Sequence, residues 1–228
     1  MIAAMAQFPT VTIRDIQEID ADTLAACGDT SPLNGDTVIV FATVFTDGKV
    51  EDPQNPGQFI RNSIPGNHHN IWVADTAGAW SGIDIFHLNG QTTPTSPVDM
   101  LDLIAGDSVK ITGVVETFRT ETEIFPITVE LLGTAQKPIS ATPINISDLN
   151  DATKINNLET GERWEGVYVE FYDAEVVVVD ITGGNRVFID VQDAQGNVIT
   201  LSDRFMFQQQ PQNGGAFVPP AVGTVFDT

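Results

Sequence analysis

IWVADTAGAWSGIDIF, residues 71–86, decides the fold of this chain. An apolar run ends at Asp75-Thr-Ala-Gly78, and a second apolar alternation follows, the pattern of strand, tight turn and strand. Glycine tolerates the positive φ that such a turn needs, and an aspartate side chain accepts hydrogen bonds from turn backbone. Asp75 and Gly78 are therefore read as turn formers. Alternation puts Ile71 and Val73 on one face and Trp72 on the other, and sets Ile83 and Ile85 opposite Asp84 and Phe86.

Trp72, Trp80 and Phe86 thus gather around one turn. On the outer face of a small barrel they would form a stacking platform for a sugar or a base. Beneath a flanking loop or a second module they would be core, since buried indoles contribute much apolar area. Packing is the preferred reading, and the platform is kept as the ligand-binding alternative.

Outward from the hairpin, strand periods dominate and Gly, Pro, Asn and Asp punctuate them. Residues 11–17 read as a short strand or a turn of helix. GDTVIVFATVFTDG (35–48) is a long strand with apolar residues on both faces. Residues 51–70 form a polar loop, and 92–106 a loop followed by a short helix or turn. GDSVKITGVVETFR (106–119) alternates as a half-buried strand, and EIFPITVELLG (123–133) closes the unit. Pro126 lacks an N–H and so marks an edge, a bulge or a strand start. Five strands with a helix-like segment between the third and fourth suit a closed Greek-key barrel of the OB type. A β-sandwich is the alternative.

The pattern then begins again. TVTIRDI (10–16) returns as TPINISDL (142–149), and GDTVIVFATVF has a counterpart in GERWEGVYVEFYDAEVVVVD (161–180). VADTAGAWSGIDIF matches VQDAQGNVITLSDRF (191–205), so that Asp193 and Gly196 take the turn-forming places of Asp75 and Gly78. This predicts an all-β protein of two tandem OB-like Greek-key β-barrels. The expected division is an N-terminal arm or signal-peptide remnant at 1–9, a first barrel at 10–135, a linker at 136–144 and a second barrel at 145–228. AVGTV (221–225) matches IAGDSV (104–109), the start of strand four. The second barrel is therefore expected to be truncated, or completed by another chain through its unpaired strand edges.

GDTVIVFATVF, IWVADTAGAWSGIDIF and GDSVKITGVVETFRTETEI resemble the OB-fold modules of secreted bacterial multidomain proteins. These are the YhcR-type nuclease-associated OB domains and the repeat modules of type IX-secreted proteins. The likeness covers residues 11–133 and extends to the second half as a divergent module. It implies a fold and an exported setting, and leaves function open, since such modules serve many roles.

Charge and composition narrow the function. The chain carries 31 Asp and Glu against 10 Lys and Arg, a net charge of −21. That field repels phosphate backbones and anionic membranes, and basic residues are too sparse to neutralise a nucleic acid. The single cysteine, Cys27, allows no intrachain disulfide. MIAAMAQ ends in a small-x-small pattern that suits an export cleavage site.

His68, His69 and His87 lie in polar surroundings, and adjacent strand histidines point to opposite faces, so no zinc site is read there. Asp180, Asp190 and Asp193 offer oxygens for a structural calcium, though without EF-hand spacing. No other cofactor is expected. Ser81 lies outside a nucleophile elbow, and no phosphate loop or Cys/His dyad is present. The expected function is that of a non-enzymatic extracellular or cell-surface protein. It would assemble with itself or with neighbouring modules through strand edges, as an appendage subunit or a part of a larger exported protein. The alternative is an oligosaccharide- or nucleic-acid-binding OB module accessory to a secreted nuclease.

Overall fold

The computed structural model describes residues 8–62, 68–88, 98–134, 138–182, 186–204 and 214–226. The protein is predominantly β. Its first part is a closed barrel of five strands, β1 (Thr37–Val44), β4 (His68–Ala74), β5 (Gly82–Leu88), β6 (Ser108–Phe118) and β7 (Glu121–Gly133). Around the barrel they run β1-β4-β5-β7-β6 and back to β1. Every contact is antiparallel except the closure between β5 and β7, which is parallel at Asp84↔Glu123 and Ile85↔Ile124.

Period-two alternation fills the barrel. Val38, Val40, Ile71, Val73, Ile83, Ile85, Ile111 and Ile124 are almost wholly buried in one cluster. At roughly 2 kcal/mol for each such side chain, this cluster outweighs any surface pairing in the molecule. Pro126 sits opposite Gly113, at a register shift that leaves Ile127 as an extra residue on β7. A missing N–H is tolerated at such a bulge.

Helix α1 (Ile13–Gln17) covers one end of the barrel with Ile13 and Ile16. It starts at a capping box in which Thr12 and Asp15 bond one another's backbone N–H. Residues 49–61, of which 51–61 belong to the stretch read from sequence as loop, hold a two-stranded ribbon, β2 (Lys49–Glu51) with β3 (Phe59–Arg61). Asp52 turns it by accepting Gln54 N–H and the Asn55 amide. Three-residue strands around a seven-residue turn are too short for periodicity to reveal.

The second part is a four-stranded antiparallel sheet ordered β12-β11-β10-β13. Its strands are β10 (Ala174–Ile181), β11 (Val187–Gln192), β12 (Val198–Ser202) and β13 (Val225–Phe226). Val176, Val187 and Val191 form its small core with Ile146 and Ala174. The long single strand expected across 161–180 is instead broken. Helix α3 (Leu158–Gly161) and a 3-10 turn come first, and then β9 (Val169–Glu170) pairs in parallel with β8 (Thr142–Pro143) ahead of β10. Asp173, with φ 52, bends the chain between them.

Candidate functional site

The hairpin at residues 71–86 lies where the two parts meet. Gly82 and Gly166 touch backbone to backbone, and Trp80 N–H donates to the Arg163 carbonyl at 2.8 Å. Phe45 stacks on Tyr168 with ring centres 5.6 Å apart and planes 6° from parallel. Thr122 N–H donates to Glu165 Oε1 at 2.8 Å.

The three aromatics of the hairpin do not form one platform. Trp80 is buried at 7 % exposure among Ile19, Leu24 and Leu158, the last from α3 and Leu24 from α2 (Ala21–Ala25). Its backbone has φ 63, a left-handed conformation costly for a bulky side chain, so the buried indole offsets local strain. Trp72 and Phe86 share the outer face of β4 and β5, paired across the strands with Asp84 and Asn70. Both are half-buried, and the Arg204 guanidinium from the second part lies 5.2 Å from the centre of the Trp72 ring.

Asp75 Oδ2 accepts Ile13 N–H at 3.0 Å, tying the hairpin to the start of α1, and Gly78 has φ 109. In the second sheet Asp193 accepts the N–H groups of Gln195 and Asn197 and the Asn197 amide, while Gly196 has φ 90.

A file of acids crosses the joined face. Asp84, Glu123 and Glu116 succeed one another on β5, β7 and β6, with Glu121 beside them. Burial pushes the Asp84 carboxyl well above the usual range, and Glu121 adds to the shift. Its Oδ2 accepts the Asn70 amide, but Oδ1 is buried with no hydrogen-bond partner among the described residues. Burial and the charges of Glu121 and Glu116 raise Glu123 to about 7. Across the joint, burial and neighbouring Asp29 raise Glu162 to about 7. Burial dominates at Glu165 too, and Glu162, Glu121 and Asp29 help raise it to about 8. These acids escaped the sequence reading because any carboxylate pair is expected by chance in so acidic a chain. The signal that existed was alternation: Glu121 and Glu123 share a strand face.

Among the described residues no group of three His, Cys, Asp or Glu side chains is placed to hold a metal ion. Asp190 is bonded to the Lys154 ammonium and to Thr200 Oγ1. Burial raises its pKa, but these two hydrogen bonds outweigh that and hold it below the usual range. Asp193 is spent on its turn. Gly183, Gly184 and Asn185 lie outside the described residues.

The second locus is the outer edge of β12. The sheet ends there among the described residues. Val198 uses its outward groups locally, its carbonyl accepting the Asn150 amide at 3.1 Å and its N–H reaching the Asp151 carbonyl at 3.3 Å. With period two, the backbone groups of Thr200 and Ser202 also point outward. A cleft of about 570 Å³ lies beside them, walled by Ile199 and Thr200 on one side and by Glu162, Trp164 and Glu165 on another.

No protein-family model matches the chain, and no curated protein matches it. Among solved structures, an OBody bound to hen egg-white lysozyme aligns at 20% identity, over 45% of this chain and 84% of its own, with a TM-score of 0.29. A likeness so slight bears on neither fold nor function. No helix among the described residues is long and apolar enough to cross a membrane.

Proposed function

We propose that the chain is a non-catalytic extracellular interaction protein built from tandem OB-type modules. In the second module the exposed edge of β12 takes up a strand from another protein. In this reading the chain is an appendage subunit or a module of a larger exported protein. The five-stranded Greek-key closure of the first barrel supports the OB assignment. Matching details support the duplication. In the first barrel Gly106 N–H donates to the Val44 carbonyl at 2.8 Å, and Val44 N–H to that of Asp107 at 2.9 Å. In the second sheet Gly223 N–H donates to the Val176 carbonyl and Val176 N–H to that of Thr224, both at 2.8 Å. Gly106 and Gly223 carry φ 94 and 88. So β13 starts along β10 as β6 starts along β1.

One observation carries the reading. β5 is covered by β7, whereas β12, its counterpart in the second sheet, has no strand on its outer side among the described residues. Unpaired N–H and C=O groups in a row are a template for strand addition. The oligosaccharide alternative is weaker, because Trp80 is buried and Arg204 lies over Trp72.

The test uses a fluorescein-labelled extended peptide of alternating valine and threonine. Saturable binding to the wild-type chain is expected. Ser202→Pro removes one outward N–H and is expected to abolish that binding while far-UV circular dichroism stays unchanged. No binding by the wild type, or equal binding by the variant, contradicts the reading.

A further inference from the structure

Resting on that strand-addition reading, we propose that the strand received by β12 carries a lysine or arginine, which enters the adjacent cleft and is held by Glu162 and Glu165 against Trp164. The placement argues for it. The cleft shares Ile199 and Thr200 with the open edge, so a strand laid along β12 runs past its mouth. A volume of about 570 Å³ is ample for one long side chain. The chemistry argues for it too. A cation near an indole gains from the ring's negative face, and a hydrogen bond to a carboxylate is stronger than a neutral one.

Among the described residues neither glutamate has a cationic partner of its own. The salt bridges among the described residues join other acids, and Lys154, the cation lining the cleft, is engaged with Asp190. Glu165 Oε1 is occupied by Thr122 N–H, which fixes the carboxyl at the cleft without neutralising it. Both carboxyls are held above their ordinary range by burial and by nearby acids, a penalty that an arriving cation relieves. The net charge of −21 draws a basic segment in and disfavours a second copy of this chain.

The experiment compares the parent valine–threonine peptide with versions bearing Lys or Glu at the centre. For the wild type, the Lys peptide is expected to bind about tenfold more tightly than the parent, and the Glu peptide more weakly. The Lys-to-parent ratio is expected to fall to about one in the Glu162→Gln/Glu165→Gln double variant. A ratio of about one in the wild type, or a ratio that survives in the double variant, overturns the cationic assignment. If the parent still binds and Ser202→Pro still blocks it, strand addition stands alone. If no peptide binds, strand addition falls and this inference with it. If Ser202→Pro loses the parent but keeps the Lys peptide, the cleft acts independently of the edge, and the joint proposal is overturned.

Discussion

Gly82 and Gly166 meet so closely that a Cβ on Gly82 would lie 2.2 Å from the Gly166 carbonyl oxygen. The obstacle is backbone on both sides, so no rotamer relieves it. These two glycines set the distance at which the four-stranded sheet's part of the chain docks on the barrel hairpin.

Gly82→Ala is therefore expected to force the two parts apart. Overpacking of this kind costs about 1–3 kcal/mol, and more where backbone must move. Differential scanning calorimetry checks it: the wild type is expected to melt in one transition and the variant in two, with the second-module transition at lower temperature. Unchanged melting contradicts the docking.

Trp80→Ala removes the indole that α2 and α3 share. A loss of about 3–5 kcal/mol is expected, the range for large aromatics deleted from a core. Denaturant titration followed by circular dichroism measures it. A loss below about 1 kcal/mol would mean that this indole is not a packing element.

Arg204→Ala uncovers the Trp72 ring. A half-exposed cation–π contact is worth about 0.5–1 kcal/mol. Only a small stability change is expected, with a red shift of tryptophan emission that a Trp72→Phe background removes. An unshifted spectrum contradicts the contact.

The joined face makes stability fall as pH rises. Glu165 is raised to about 8, Glu123 and Glu162 to about 7, and Asp84 also upward. The charged groups around them are Asp29, Glu116, Glu121 and Arg204. A folded-state pKa above the unfolded one means that the folded chain binds more protons between the two values, so unfolding becomes easier as pH climbs. From the ordinary glutamate value of 4.5 to about 8, the melting temperature is expected to drop and then level off. In Glu123→Gln/Glu162→Gln/Glu165→Gln the drop is expected to shrink. A melting temperature that rises across this window contradicts the assignment.

Alternation alone made the hairpin at 71–86 legible, because Ile71, Val73, Ile83 and Ile85 need only a period of two to declare an inward face. The same alternation located β6 and β7 and flagged Pro126. It could not say what covers the opposite face. Trp72 and Trp80 read alike in sequence, yet one lies under an arginine more than a hundred residues away and the other is locked between two short helices.

The candidate cleft was less legible still. Glu162, Trp164 and Glu165 sit in a segment whose sequence reads as the counterpart of the barrel's first strand. A short helix and turn aim them at β12 only once Gly166 rests on Gly82. Asp190 is a related case: spacing groups it with other acids, and spacing cannot show that Lys154 reaches it across a loop.

Amide hydrogen exchange at Thr200 and Ser202 tests the central claim most directly. With β12 open, both amides are expected to exchange quickly in the isolated chain, while those of Ile199 and Leu201, bonded to β11, exchange slowly. Saturating strand peptide is expected to slow the first pair. If Thr200 and Ser202 are already protected in the isolated chain, or stay fast with peptide bound, the edge is not a receiving edge and the account is wrong.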